Sequence, residues 1–207
     1  MCGRFTLIID LSVIEESFHV QEVGSEYRPS NDFSPGQQIP VIIRDDKTRL
    51  VTFLWGLIPS WAKDPSMGSR MFNARAETIA EKPSFKDAFK SRRCLIIADG
   101  FYEWVKLDKK KVPYHFSLKS GAAFGFAGLY ETWMTPESKP VRTCTIITTN
   151  PNDLVRPIHD RMPVIVPKDK ESLWIDPGVT DQKELATILK PYPAQEMKMT
   201  EVFLSAP

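Results

Sequence analysis

Cysteine is scarce in this chain and nowhere paired by spacing: Cys2, Cys94 and Cys144 stand far apart, with no CxxC among them. An odd count at such intervals argues against a disulfide framework or a structural zinc site and fits a reducing compartment. Net charge is scarce too. A formal charge of +1 over 207 residues argues against a protein that coats duplex nucleic acid through many phosphates, and confines any nucleic-acid contact to a local patch. No apolar run approaches the ~18 residues of a membrane span. No basic segment followed by a long apolar run opens the chain. A soluble, cytoplasmic protein without a membrane partner is therefore expected. Internal repeats and low-complexity tracts are also missing.

What is present is a core. With 42% hydrophobic and 11% aromatic residues, residues 1–207 suffice for a single domain. Apolar or alternating runs at 50–55, 94–98, 113–118, 124–130, 143–149 and 162–166 predict strands. Helices are predicted to be fewer and short: 10–20 behind an Asp10 cap, 84–90 behind a Ser84 cap, and segments near 168–175 and 181–190. Seventeen prolines punctuate the connections. The pattern predicts an α+β fold, a curved, mostly antiparallel sheet or open barrel flanked by short helices. Segments 24–40 and 60–71 read as long ordered loops of the kind that carry binding surfaces.

Met1-Cys2-Gly3 is the most distinctive stretch. Loss of Met1 would expose Cys2 as a 1,2-aminothiol, combining an α-amine of pKa roughly 7.7–8.0 with a thiol of about 8.5. Such a terminus captures an aldehyde: the amine condenses to an imine, the thiol adds to the imine carbon, and a five-membered thiazolidine closes. Lysine cannot close that ring.

Three further segments carry polar groups that packing does not require. In an extended stretch, Asn73, Arg75 and Glu77 would project from one face, as a pocket edge or as a solvent-facing strand. Glu103 sits among aromatics in Phe101-Tyr102-Glu103-Trp104, where desolvation would raise its pKa. His159 lies in the proline-framed turn Pro157-Ile158-His159-Asp160-Arg161-Met162-Pro163, with a near-neutral pKa suited to proton transfer. His19 and His115 read as structural.

These segments coincide with a family pattern. The chain resembles the SRAP family, the SOS response-associated peptidases, also described as abasic-site processing or shielding proteins. The resemblance rests on Met1-Cys2-Gly3-Arg4-Phe5, Trp55-Gly56-Leu57-Ile58-Pro59-Ser60-Trp61, Asn73-Ala74-Arg75-Ala76-Glu77-Thr78, Phe101-Tyr102-Glu103-Trp104 and Ile158-His159-Asp160-Arg161-Met162-Pro163. It implies a barrel-like mixed fold and removal of Met1, by the protein itself or by an aminopeptidase. It also implies a covalent thiazolidine between Cys2 and abasic sites in single-stranded DNA, with weak lyase chemistry as a side reaction. On that pattern His159 promotes sugar ring opening, Glu103 holds and exchanges the amine proton, and Asn73 orients the terminus. Arg4, Arg75, Thr148 and Arg161 would contact DNA, and Trp61 would stack on a base. Relatives carry a second tryptophan after the first, where this chain has Ala62. Basic tracts at 86–93 and 106–111 could add attraction, the latter at a hairpin tip. No cofactor or metal is implied, and a monomer, nucleoid-associated when bound to DNA, is expected. Two alternatives stand beside this reading: a peptidase acting on external peptides through Cys2, and a non-catalytic single-strand binding module.

Overall fold

In the computed structural model, which describes residues 2–107 and 110–202, the apolar runs become strands that pair into two sheets. The first strands are β1 (Phe5–Leu7), β2 (Glu22–Val23), β3 (Ser30–Phe33), β4 (Gln38–Arg44), β5 (Thr48–Trp55) and β6 (Asn73–Arg75). They are followed by β7 (Arg93–Ala98), β8 (Gly100–Leu107), β9 (Lys110–Leu118), β10 (Phe124–Met134), β11 (Pro140–Thr149), β12 (Met162–Pro163) and β13 (Met197–Glu201). The α-helices are α1 (Leu11–Phe18), α2 (Lys86–Ser91), α3 (Glu171–Ile175) and α4 (Gln182–Ala186).

Strands β11, β10, β7, β4 and β5 pair in that order, all antiparallel. β5 then returns to β11 in parallel register, with Thr143 opposite Leu54 and Cys144 opposite Trp55. The expected curved sheet is therefore a closed five-stranded barrel, which removes both edges of that ring. A second sheet, ordered β13-β9-β8-β1-β3, packs against it. Aromatic side chains fill the space between. Phe126 of the barrel meets Phe5 and Phe101 of the second sheet edge-on, each at 6.0 Å between ring centroids, an arrangement that suits the ring quadrupoles.

Several sequence expectations are corrected. The loop predicted to run to Pro40 already contains β3 and the start of β4, because Ile39 to Ile43 form a continuous buried run. The strand predicted over 162–166 is limited to Met162–Pro163 plus an isolated bridge between Phe126 and Ile165. Neither Asp10 nor Ser84 caps a helix through its side chain; α2 starts after Phe85 instead. Asp181 does cap, accepting from Lys183 N at 2.8 Å. The β8–β9 hairpin is present, with Lys106 opposite Lys111; its expected tip, 108–109, and the expected removal of Met1 concern positions outside the described residues.

Candidate active site

Cys2 leads into β1, and β1 is held between β3 and β8. That placement buries Cys2 completely, at 0% exposure. Asn73 arrives from the other sheet: β6 lies parallel to β11, with Asn73 opposite Ile146. Its Nδ2 donates to the Cys2 carbonyl at 2.8 Å. The Oδ1 of the same amide is buried with no hydrogen-bond partner among the described residues, an orphaned acceptor beside Cys2 of the kind that marks a functional site.

Strand alternation places Glu103. On β8, Phe101 and Glu103 turn inward while Tyr102 and Trp104 turn outward, so a carboxylate 3% exposed enters the core. Burial raises its pKa to about 7, with the charge of Asp160 adding to the rise. Burial also pushes the Cys2 thiol far above its ordinary value, and the negative charge of Glu103 pushes it further. The thiol is therefore held protonated until a proton acceptor takes part.

His159 is delivered by a turn that Asn152 caps: Asn152 Oδ1 accepts from Leu154 N at 3.1 Å and Val155 N at 3.0 Å. The turn continues through His159 N to Val155 O at 3.0 Å. The imidazole Nδ1 accepts from Arg161 N at 3.0 Å, and Asp160 Oδ1 lies 3.0 Å away. The other ring nitrogen, Nε2, faces Glu103 Oε2 at 4.0 Å. Burial lowers the His159 pKa. The structure thus gathers the four residues singled out for chemistry, Cys2, Asn73, Glu103 and His159, from four separate segments. A cleft of 520 Å³ lined by Asn150, Pro151, Arg156, His159 and Asp160 opens on the His159 side.

The residues singled out for DNA divide into two groups. Arg75 is exposed on β6, and Trp61 is 57% exposed. Arg4 is half-exposed, 3.0 Å from Asp32 Oδ1 and stacked over the Trp104 ring at 5.8 Å. Thr148 and Arg161 are placed differently. Thr148 is 1% exposed and its hydroxyl donates to Ala74 O at 3.3 Å. Arg161 donates to both oxygens of Glu77 and to Thr148 O. Both are committed to the wall where β6 meets β11, so a phosphate would have to displace or share Glu77 to engage Arg161.

Glu77 turns out not to extend the row of Asn73 and Arg75. β6 ends at Arg75, and Glu77 folds back onto Arg161. Sequence reasoning missed Asn152, Asp160 and Asp32 as supports; only Asp160, adjacent to His159, carried a signal. Among the described residues no three His, Cys, Asp or Glu side chains converge as a metal site requires, and no helix is long and apolar enough to cross a membrane.

Comparison with known proteins bears on this arrangement. YoqW of Bacillus subtilis, described as an abasic site processing protein, is 50% identical over 206 residues, spanning 98% of this chain and 92% of its own. YoaM of the same organism, with the same description, is 49% identical over 206 residues, spanning 98% and 91%. The crystal structure of a protein from Bacteroides thetaiotaomicron superposes with a TM-score of 0.91 at 28% identity, covering 98% of this chain and 92% of that one. The family model described as SOS response associated peptidase (SRAP) matches residues 1–204, and the chain belongs to that family.

Proposed function

We propose that the chain is an abasic-site processing protein that links Cys2 covalently, as a thiazolidine, to the ring-opened aldehyde of an abasic site in single-stranded DNA. One arrangement supports this above all: a buried Cys2 whose carbonyl is held by Asn73, with Glu103 and His159 close by. It acts as a monomer, in the cytoplasm and at the nucleoid when bound to DNA.

Met1 is first removed, by the protein's own site or by an aminopeptidase, which frees the Cys2 amine. The sugar C1′ aldehyde forms when the hemiacetal opens: the C1′ hydroxyl gives its proton to the carboxylate of Glu103, the bond from C1′ to the ring oxygen breaks, and His159 Nε2–H protonates that oxygen. The amine attacks C1′, water leaves, and an imine forms. The Cys2 Sγ–H then gives its proton to the carboxylate of Glu103, the sulfur adds to the imine carbon, and the nitrogen takes up a proton. The balance is one aldehyde plus one aminothiol giving one thiazolidine and one water. Asn73 Oδ1 accepts from the sugar or the hemiaminal hydroxyl. An imine that the thiol has not closed permits β-elimination of the 3′ phosphate, and weak lyase chemistry as a side reaction is part of the proposal. Arg4 and Arg75 bind flanking phosphates and Trp61 stacks on a neighbouring base.

The test is denaturing electrophoresis of the protein with a labelled single-stranded oligonucleotide bearing one abasic site. A heat-stable shifted band, formed without reductant, absent with intact DNA and lost in Cys2→Ala, is expected. Catalytic turnover of an external peptide without any band would establish the peptidase reading instead.

A further inference from the structure

We infer that Trp133 and Glu131 are positioning residues that hold Trp61 in a fixed outward pose to receive a base; this rests on the stacking role proposed above for Trp61. The loop from Gly56 to Met71 is tied to β11 by Gly56 N to Cys144 O at 2.9 Å and closed at its neck by Leu57 N to Met71 O at 3.1 Å. Gly56, at φ 139°, lies so close to Gly68 that a Cβ there would sit 2.7 Å from the Gly68 carbonyl oxygen, so only glycine permits this neck.

Inside the loop, Ile58, Ala62 and Trp133 form a small core of their own, backed by Met67 and Val141. Three bonds from the barrel then pin the loop backbone. Ile58 N donates to Thr143 Oγ1 at 2.9 Å, Ser60 N to Glu131 Oε2 at 3.3 Å, and Trp133 Nε1 to Ala62 O at 2.7 Å. The last two grip the residues immediately before and after Trp61. Glu131 is itself buried and paired with the Arg92 guanidinium. Trp133 and Glu131 are two positions apart on β10 and act on the loop from the same face.

The contrast across three residues carries the inference. Ala62 is buried against Trp133, Ser60 is tethered to a buried carboxylate, and Trp61 between them is 57% exposed. A large aromatic ring kept in water by rigid neighbours is preorganised for a flat partner, which lowers the ordering cost that binding would otherwise carry. A DNA base has such a face. In this chain the residue after Trp61 is a small inward anchor, so a single ring forms the platform.

The experiment is a double-mutant cycle on affinity for an unmodified single-stranded oligonucleotide, with the saturating crosslinking rate on an abasic oligonucleotide measured alongside. Trp133→Phe is expected to weaken binding about 5-fold, the scale of one lost buried hydrogen bond, with the saturating rate unchanged. In a Trp61→Ala background the same substitution is expected to add nothing. Glu131→Ala should behave like Trp133→Phe, while Glu131→Gln, which still accepts from Ser60 N, should retain most of the affinity. With 5-fluorotryptophan, the Trp61 resonance should shift in Trp133→Phe before DNA is added. Equal losses with and without Trp61, or a fall in saturating rate at unchanged affinity, would overturn the inference. If Trp61→Ala binds as well as the parent, the stacking role fails and the inference falls with it. If the cycle couples as expected but no crosslink forms, the inference stands and the covalent chemistry is what fails.

Discussion

Arg161 and Glu77 face each other as a bidentate pair, Nη1 to Oε1 at 2.8 Å and Nη2 to Oε2 at 2.9 Å, where the chain leaves β6. The carboxylate is half-exposed, so the pair contributes about 0.5–1 kcal/mol, yet it occupies the arginine that family resemblance assigns to DNA. Replacing Glu77 by Gln should raise affinity for single-stranded DNA several-fold and steepen its salt dependence by about one ion. The hydrogen bonds from Arg161 hold the Glu77 pKa below the usual carboxylate value. Its part of the stability is therefore present above the unfolded pKa and is lost as pH falls through the folded one. Unchanged affinity and salt slope in Glu77→Gln would mean that Arg161 stays in the wall.

Glu103 works in the opposite direction. Burial raises its pKa to about 7, so the folded chain favours the protonated carboxyl. Its contribution to stability is complete below the unfolded pKa of about 4.3 and is lost as pH rises through the folded value. Glu103→Gln should flatten melting temperature against pH across that window. It should also slow crosslinking on the order of 100-fold and remove the near-neutral inflection from the pH–rate profile. An inflection that survives the substitution belongs to another group.

Asn73→Ala deletes the bond to the Cys2 carbonyl. A loss of about 1 kcal/mol in stability is expected. The crosslinking rate should fall more than tenfold, since the nucleophile loses its orientation. Denaturant unfolding and single-turnover crosslinking measure the two effects separately, and a normal rate in a destabilised variant would remove Asn73 from the chemistry.

Gly100 is required by its neighbour. A Cβ there would lie 2.1 Å from His115 Nε2, and that ring is already engaged with Thr6 Oγ1 at 3.2 Å and packed on Tyr102 at 4.9 Å. Gly100→Ala should cost about 1–3 kcal/mol through overpacking. Thermal melting of Gly100→Ala beside His115→Ala/Gly100→Ala checks this, because removing the ring should restore part of the loss.

The sequence was most legible where chemistry and period coincide. Glu103 stands on a strand whose alternation already turns it inward, and Cys2 is distinctive by position alone. β4 was missed because Pro40 reads as loop punctuation, although a continuous apolar run follows it and the barrel requires it. Glu77 was placed in a row with Asn73 and Arg75 because spacing assumes an extended chain, whereas a turn after Arg75, closed by Thr78 N to Arg75 O at 3.1 Å, carries Glu77 onto Arg161. Thr148 looked accessible at a strand end; pairing with β6 on one side and β12 on the other buries it. The closing contact between β5 and β11 has no local signature, since nothing in the residue pattern of either strand names its partner.

That closing contact also orders events in time. β5 belongs to the first half of the chain and β11 to the second, and joining segments so far apart delays the transition state for folding. β6, which carries Asn73, docks on the same late strand, and His159 follows it in sequence. Cys2 therefore emerges early but gains its neighbours late, once β11 has been made and β6 can dock on it.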